Sequence, residues 1–134
     1  AMDPRSFVLF PEVKEVLGAL RRAGVELGIV SNSFPSAERI LQHLKLMRYF
    51  SRIIWSHRCG YAKPEKEIFD AAFRCVRGTQ TQVLFIDDRP EFVKKAMQAG
   101  VELALWINRN GYEDGGVKQI RSLWDIVHPM ITRP

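Results

Sequence analysis

The alternation of extended and helical apolar patterns limits the fold of this 134-residue chain more than any other feature. Four short apolar runs predict strands over residues 25–30, 53–55, 83–86 and 103–107. A helical pattern follows each run. Strands that are joined by single helices pair in parallel through right-handed crossovers. The sequence therefore predicts an α/β fold, with a Rossmann-like, mostly parallel sheet and flanking helices.

Proline and glycine residues mark the ends of the predicted helices, because proline suits a first helical turn and glycine suits the residue after a helix. Between these marks, apolar residues recur at helical spacing. The helices are predicted over 11–23, from Pro35 onward, from Pro64 to Gly78, from Pro90 to Gly100 and over 117–127. The segment from His57 to Lys63 contains Gly60 and is predicted to be a loop.

Length and composition indicate one globular domain, with residues 7–128 as the core, 1–6 as a disordered segment or a remnant of expression, and 129–134 as a tail. With 46% hydrophobic and 26% charged residues, the chain is not intrinsically disordered. No apolar run reaches the ~20 residues of a membrane span, and no secretory signal is present, so we expect a cytoplasmic protein. Both cysteines, Cys59 and Cys75, are expected to be reduced thiols.

A net charge of +5 suits an anionic partner, such as a phosphorylated substrate or a nucleic acid. The basic residues are scattered, however, and the adjacent pairs are Arg21–Arg22 and Lys94–Lys95. No basic stretch alternates with aromatic residues in the way that is typical of a nucleic-acid surface. We therefore interpret most of this charge as solvated surface, and we predict neither a nucleic-acid nor a membrane partner.

Polar residues follow each predicted strand, at the edge of the sheet where the carboxyl ends of parallel strands meet. Ligands of open α/β sheets bind at this edge. The candidate residues are Ser31, Asn32 and Ser33, the loop from His57 to Lys63, Asp87 and Asp88, and Asn108 and Arg109.

The strongest candidates each allow two interpretations. Asp87 and Asp88 repel one another, so they either bind Mg²⁺, which takes one or two carboxylates, or end a strand and cap the next helix. Ser31 and Asn32 lie where a hydroxyl and backbone N–H groups can hold a phosphate, or they form an ordinary turn. Lys63 either neutralises a phosphate or contributes surface charge.

A series of motifs in a fixed order lies at Leu9–Val13, Ile29–Ser33, Lys63–Glu65 and Phe85–Pro90. Together these motifs closely resemble the haloacid dehalogenase (HAD) superfamily, in particular its phosphatase-like hydrolases. The resemblance extends from about Leu9 to Ile107. It implies a HAD-like core, Mg²⁺-dependent hydrolysis of a phosphomonoester, and a phosphorylated small molecule as the partner.

The resemblance also implies a role for each candidate residue. Ser31 would bind the transferring phosphoryl group, with the Asn32 backbone beside it. Lys63 would balance the charge of the phosphate and of the nucleophile, and Asp87 and Asp88 would hold Mg²⁺. These roles suit phosphoryl transfer, which depends mainly on positioning and on neutralisation of the phosphoryl oxygens.

The first motif of the family is absent. Family members begin with a strand that ends in Asp-x-Asp, whose first aspartate attacks phosphorus, and a cap insertion follows. This sequence contains no Asp-x-Asp. The run Phe7–Phe10 is a candidate to fill part of the missing strand's place, although it continues into Pro11 with almost no loop. Phe92 departs as well, since many relatives carry asparagine there.

Two hypotheses follow from this absence. The chain is a fragment of a phosphatase that is inactive alone, or it is a non-catalytic scaffold or regulatory binding module with the same fold. We favour the fragment because Ser31, Lys63 and the Asp87–Asp88 pair are all present. A receiver-type signalling domain fits less well, since its acidic pair comes early in the chain. A missing central strand would expose sheet edges, through which a homodimer is a further expectation.

Overall fold

The computed structural model describes residues 3–74, 76, 83–113 and 115–127. Its helices are Val13–Arg22 (α1), Ser36–His43 (α2), Ser56–Cys59 (α3), Lys66–Arg74 (α4) and Pro90–Gln98 (α5). Its strands are Gly28–Ser31 (β1), Arg52–Trp55 (β2), Leu84–Asp87 (β3), Leu103–Ile107 (β4) and Gln119–Ile120 (β5). Short 3-10 turns lie at Pro4–Ser6 and Met47–Tyr49.

The helices form where the sequence predicts amphipathic segments. Helix α1 buries Val16 and Leu20 and ends before Gly24, whose φ of 84° suits glycine much better than other residues. Helix α5 carries Pro90 in its first turn, where a missing N–H costs nothing. None of the helices in the described part of the chain is both long and apolar enough to cross a membrane.

The strands pair in two parallel groups. Strand β1 pairs with β2 from Gly28 opposite Arg52 to Ser31 opposite Trp55. Strand β4 pairs with β3 on one side and with β5 on the other. Among the described strands, no strand joins the two groups by pairing with both β1 and β3. Strands β1 and β3 therefore each keep one unpaired edge.

Helices α4 and α5 cover one face of the strands. They bury Phe69 and Val93 against Phe85 of β3 and Trp106 of β4. Val30 of β1 packs against the same cluster. This face of the core therefore contains residues from both groups of strands.

Helix α1 and the residues near Ile126 cover the opposite face. Val16 and Ile126 pack there with Leu27, just before β1, and with Leu84 and Ile86 of β3. Because both clusters join the two groups of strands, all the strands lie in one layer between two layers of helices. This arrangement confirms the predicted α/β class.

The unpaired edges coincide with partly exposed apolar residues. Strands that are covered by helices on both faces are normally buried throughout. Here Ile29, Val30, Leu84 and Ile86 are all half-buried, whereas Phe85 is buried. Strand β3 is therefore only partly covered, although its continuous apolar run is typical of a strand with helices on both faces.

The prediction of a helix over 117–127 is wrong. Residues Gln119–Ile120 form β5, and only 124–127 are helical. The Trp106 N–H donates to the Lys118 carbonyl at 2.9 Å, and the Asn108 N–H donates to the Ile120 carbonyl at 2.8 Å. Pairing with the free edge of β4 thus satisfies backbone groups that a helix would satisfy internally. The predicted loop from His57 likewise contains the single turn of α3.

The run Phe7–Phe10 does not form a strand. Val8 is 88% exposed and Phe10 is 56% exposed. The run continues within two residues into α1, so no connection is long enough to reverse the chain between a strand and this helix. The interpretation that this run fills the place of a missing strand is therefore wrong. The predicted helix end at Gly78, Cys75 and the tail 129–134 lie outside the described residues.

Candidate functional site

The carboxyl ends of the strands meet at one edge of the layer, because all described pairs are parallel. Lys63, which precedes α4, and Asp87, the last residue of β3, form an ion pair there, with Nζ 2.6 Å from Oδ2. Ser31 ends β1, and its neighbour Asn32 contacts the backbone of Lys63. The structure therefore brings together Ser31, Asn32, Lys63 and Asp87, which are four of the residues that the sequence predicts at this edge.

The side chain of Asn32 makes two hydrogen bonds with the backbone of Lys63. Its Nδ2 donates to the Lys63 carbonyl at 2.9 Å, and its Oδ1 accepts from the Lys63 N–H at 2.7 Å. We call this pair of bonds the Asn32 clasp. The clasp joins the loop after β1 to the loop before α4, so Ser31, Asn32 and Lys63 form one unit.

The ammonium group of Lys63 lies in a largely buried position. Its side chain is 11% exposed, and the side chain of its partner Asp87 is 6% exposed. The ring of Phe92 lies beside it, with the Lys63 Nζ 5.3 Å and the Arg89 guanidinium carbon 4.5 Å from the ring centroid. Cations at these distances are attracted by an aromatic ring. Phe92 thus contacts the charged groups of the site, a role that its place in the sequence did not predict.

The carboxyl of Asp87 is held in an unfavourable electrostatic position. Burial raises its pKa above the ordinary value, and the neighbouring Asp88 carboxylate raises it further. The ammonium of Lys63 and the N–H of Arg89, which donates to Oδ1 at 3.2 Å, act in the opposite direction without outweighing burial. A second cation beside this carboxyl would therefore stabilise its ionised form.

Asp88 is exposed, and its carbonyl accepts a hydrogen bond from Trp106 Nε1 at 3.0 Å. The residue that precedes α5 is Arg89, and no side chain caps this helix. The interpretation of Asp88 as a helix cap is therefore not supported. Within the described ranges, no three histidine, cysteine or acidic side chains come together as a metal site. The Asp87–Asp88 pair is thus the acidic group that this edge offers to a cation.

A further set of hydrogen bonds holds the residue after Asn32. The Ser33 N–H donates to Ser56 Oγ at 2.9 Å, and Ser56 Oγ lies 3.3 Å from the Ser33 carbonyl, to which it donates. His57 Nδ1 lies 3.2 Å from the same carbonyl. We call these contacts the Ser56 latch. The sequence placed Ser33 and His57 at this edge but did not predict the bonds to Ser56, because the partners are 23 residues apart and no local pattern indicates them.

Asn108 and Arg109 line a cavity of about 230 Å³ together with Asp88. Asn108 is 2% exposed and bonds Tyr112 and Gln119, which stabilises the turn between β4 and β5. Arg109 forms a 2.8 Å ion pair with Glu12 at the start of α1. Both side chains therefore have partners within the protein, and that they face a ligand stays a prediction.

The chain is similar to known proteins in sequence. Residues 4–100 match the family described as haloacid dehalogenase-like hydrolase. The chain is 30% identical over 121 residues to phosphatase MT3486 of Mycobacterium tuberculosis, covering 88% of this chain and 55% of that protein. It is 30% identical over 109 residues to a phosphoserine phosphatase of Thermus thermophilus, covering 80% of this chain and 43% of that protein.

A solved structure extends the similarity to three dimensions. A HAD phosphatase from Thermococcus onnurineus superposes with a TM-score of 0.87 at 26% identity. The match covers 95% of this chain and 60% of that protein. The chain thus spans about half the length of the curated relatives that it matches.

Proposed function

Because the chain belongs to the haloacid dehalogenase-like hydrolase family, we propose that its carboxyl edge binds the phosphoryl group of a phosphorylated small molecule. The family reaction that we propose for this edge is Mg²⁺-dependent hydrolysis of a phosphomonoester. Two curated relatives at about a third identity are phosphatases, one of phosphoserine and one of phosphoglycolate. For this chain we propose only the substrate class, a phosphomonoester.

The observation that carries this proposal is the buried Lys63–Asp87 ion pair, joined to Ser31 through the Asn32 clasp. We assign the Ser31 hydroxyl and the Asn32 backbone to the phosphoryl oxygens, and the Lys63 ammonium to charge balance. In this largely buried position a positive charge is screened less by water, so it stabilises developing negative charge more strongly than at the surface.

The residues present also fit Mg²⁺, which prefers oxygen ligands, takes one or two carboxylates and keeps several waters. Asp88 is exposed, and the ionised form of Asp87 gains from a nearby cation because burial and Asp88 raise its pKa. We therefore assign both aspartates as protein ligands of Mg²⁺. When bound, the ion supplies positive charge to the phosphoryl oxygens.

We further propose that this 134-residue chain alone does not turn over a phosphomonoester. The family nucleophile belongs to an Asp-x-Asp motif, and the sequence has none. Within the described part of the chain, strands β1 and β3 each have an unpaired edge, and we propose that a strand from elsewhere pairs there and brings a carboxylate to the site. A second copy of the chain is one source of such pairing, and sedimentation velocity of the purified chain tests that homodimer.

The experiment for this function is a titration of the chain with orthophosphate and with Mg²⁺, followed through amide chemical shifts. We expect phosphate to shift Ser31 and Lys63, and Mg²⁺ to shift Asp87 and Asp88. Asp88→Asn should lose the Mg²⁺ response and keep the phosphate response. Asp70→Asn, on the exposed side of α4, serves as the matched control.

Two results would contradict the proposal in different ways. If neither ligand moves any of these amides, the phosphate-site assignment fails and the non-catalytic scaffold becomes the better interpretation. If the chain alone hydrolyses an aryl phosphate in a Mg²⁺-dependent manner, and Asp87→Asn abolishes that turnover, the proposed inactivity is wrong.

A further inference from the structure

Lys63 is held at both ends. At its ammonium end, Nζ contacts Asp87 Oδ2 at 2.6 Å and lies 5.3 Å from the centre of the Phe92 ring. At its backbone end, the Asn32 carboxamide bonds both the N–H and the carbonyl. A lysine side chain has four rotatable bonds and loses much conformational freedom when its charge is fixed. Fixing the backbone removes one source of that freedom before any ligand binds.

The loop that carries Asn32 is itself held from the other side. The Ser56 latch bonds the N–H and the carbonyl of Ser33, the residue after Asn32. His57 Nδ1 contacts the same carbonyl at 3.2 Å. The loop after β1 is thus held twice. Its Asn32 side chain bonds the backbone of Lys63, and the Ser56 side chain of α3 bonds its Ser33 backbone. These bonds therefore restrain the backbone next to Asn32, whose side chain bonds Lys63.

We propose that Asn32 is a positioning residue, which acts through the backbone of Lys63 to place the Lys63 ammonium beside Asp87 and the phosphate. This inference deepens the proposed function and rests on it, since it assumes that Lys63 balances the charge of a phosphoryl group. The two side-chain polar atoms of Asn32 both bond Lys63, at 2.9 and 2.7 Å. The carboxamide therefore joins the loop after β1 to the backbone of Lys63, and its effect on phosphate is expected through Lys63.

The geometry specifies asparagine at this position. A carboxamide carries an NH₂ donor and an oxygen acceptor on the same carbon, which matches one carbonyl and one N–H of the same residue. Aspartate keeps the acceptor and loses the donor, and alanine loses both. The two substitutions therefore separate the bond to the Lys63 N–H from the bond to the Lys63 carbonyl.

The test compares Asn32→Ala and Asn32→Asp with the wild type, and it uses Gln98→Ala at the far end of α5 as the amide control. Three quantities are measured at a temperature well below that of thermal unfolding. They are the hydrogen-exchange rate of the Lys63 amide by NMR, the rate at which acetic anhydride labels the Lys63 side chain, and the affinity for orthophosphate. Labelling of the exposed Lys45 and Lys118 provides an internal reference.

In Asn32→Ala, we expect the Lys63 amide to exchange about tenfold faster, because it loses its acceptor. The Lys63 side chain should be labelled several-fold faster relative to the reference lysines, and phosphate affinity should fall about tenfold. Asn32→Asp should restore the amide protection, because the acceptor remains. Gln98→Ala should change none of the three quantities.

The remaining outcomes separate this inference from the proposed function. If Asn32→Ala weakens phosphate binding while Lys63 exchange and labelling stay as in the wild type, Asn32 is a direct ligand and the inference is overturned. If exchange accelerates but labelling and phosphate affinity do not change, the clasp is structural only, and the inference is again overturned. If the wild type binds no phosphate, the proposed function fails, and the labelling rate alone decides whether Asn32 positions Lys63.

Discussion

Two carboxyl groups of this protein, those of Glu12 and Asp87, are similarly buried, but their pKa values are shifted in opposite directions. Glu12 is 7% exposed and Asp87 is 8% exposed. Each pairs with a cation from a distant part of the chain, Glu12 with Arg109 at 2.8 Å and Asp87 with Lys63 at 2.6 Å. Yet the pKa of Glu12 is lowered to about 2, whereas the pKa of Asp87 is raised.

The difference follows from the groups around each carboxylate. Burial raises the pKa of Glu12, but hydrogen bonds from its own N–H, from Arg109, from the Leu123 N–H and from Ser122 outweigh burial. Ser122 Oγ and the Leu123 N–H donate to the same oxygen at 3.0 and 3.1 Å. Asp87 has fewer donors, and the Asp88 carboxylate lies next to it.

A carboxylate with several hydrogen-bond donors stabilises the fold, whereas a carboxylate whose charge is poorly compensated keeps its capacity for a ligand. Glu12 joins α1 to the segment after β5 and has no need of a further cation. Asp87 ends a strand at the candidate site, where a cation or a phosphoryl group changes its environment. The comparison therefore predicts that Glu12 variants affect folding and that site variants affect binding.

The largest expected effect on stability comes from Glu12→Gln. This change leaves the Arg109 guanidinium without its charged partner, and we expect the free energy of unfolding to fall by about 3 kcal/mol. Urea denaturation followed by tryptophan fluorescence measures this loss. Phosphate affinity under native conditions should not change. If a folded Glu12→Gln variant lost phosphate binding, the conclusion that Glu12 acts only in folding would be wrong.

Acid should weaken the fold through the same residue. The folded pKa of Glu12 is about 2, below its unfolded value of 4.5, so its contribution is complete above the unfolded value and disappears as pH falls toward the folded one. Between about pH 7 and about pH 3, we expect this group to account for a loss of about 2 kcal/mol. Urea midpoints across this range measure the slope.

The control for the acid experiment is Glu12→Gln itself. Because glutamine does not titrate, the variant should show a shallower loss of stability over the same pH range. Asp87 acts with the opposite sign, since its raised pKa favours the folded state as pH falls through that value. An equal slope in the wild type and in Glu12→Gln would show that other groups dominate the acid response.

The smallest expected effect comes from Phe92→Leu. Leucine keeps an apolar side chain under Lys63 but removes the ring, so the attraction of the Lys63 and Arg89 cations to it is lost. We expect the free energy of unfolding to fall by about 1 kcal/mol and phosphate affinity to fall a few-fold. Calorimetry and the phosphate titration test both changes. Phe73→Leu, buried away from the charged groups, should destabilise the fold and leave phosphate affinity unchanged.

Local sequence signals predicted most elements of this fold. Strand β4 occupies the predicted residues 103–107, and α1 lies within the predicted 11–23. Apolar spacing and the positions of proline and glycine decide such elements within a few residues. Strand β5 escaped prediction because two residues carry no periodicity, and its pairing depends on the free edge of β4.

The candidate site was predictable in its membership but not in its contacts. Ser31, Asn32, Lys63, Asp87 and Asp88 all follow or border strands whose parallel pairing gathers them at one edge. That rule applies equally to Asn108 and Arg109, which the structure assigns to other bonds. Strand order alone therefore cannot separate a residue that faces a ligand from one that completes the core.

By itself, the amino-acid sequence determined the α/β class, the amphipathic helices and the presence of a serine, a lysine and two aspartates at the strand ends, because these depend on local spacing. Tertiary structure alone decided that Asn32 bonds the backbone of Lys63, that Phe92 lies beside the Lys63 ammonium, and that the pKa of Glu12 is lowered while that of Asp87 is raised. The physical reason is distance along the chain. Hydrogen bonds and charges act over a few ångströms in space, and only folding brings together residues that are tens of positions apart in the sequence.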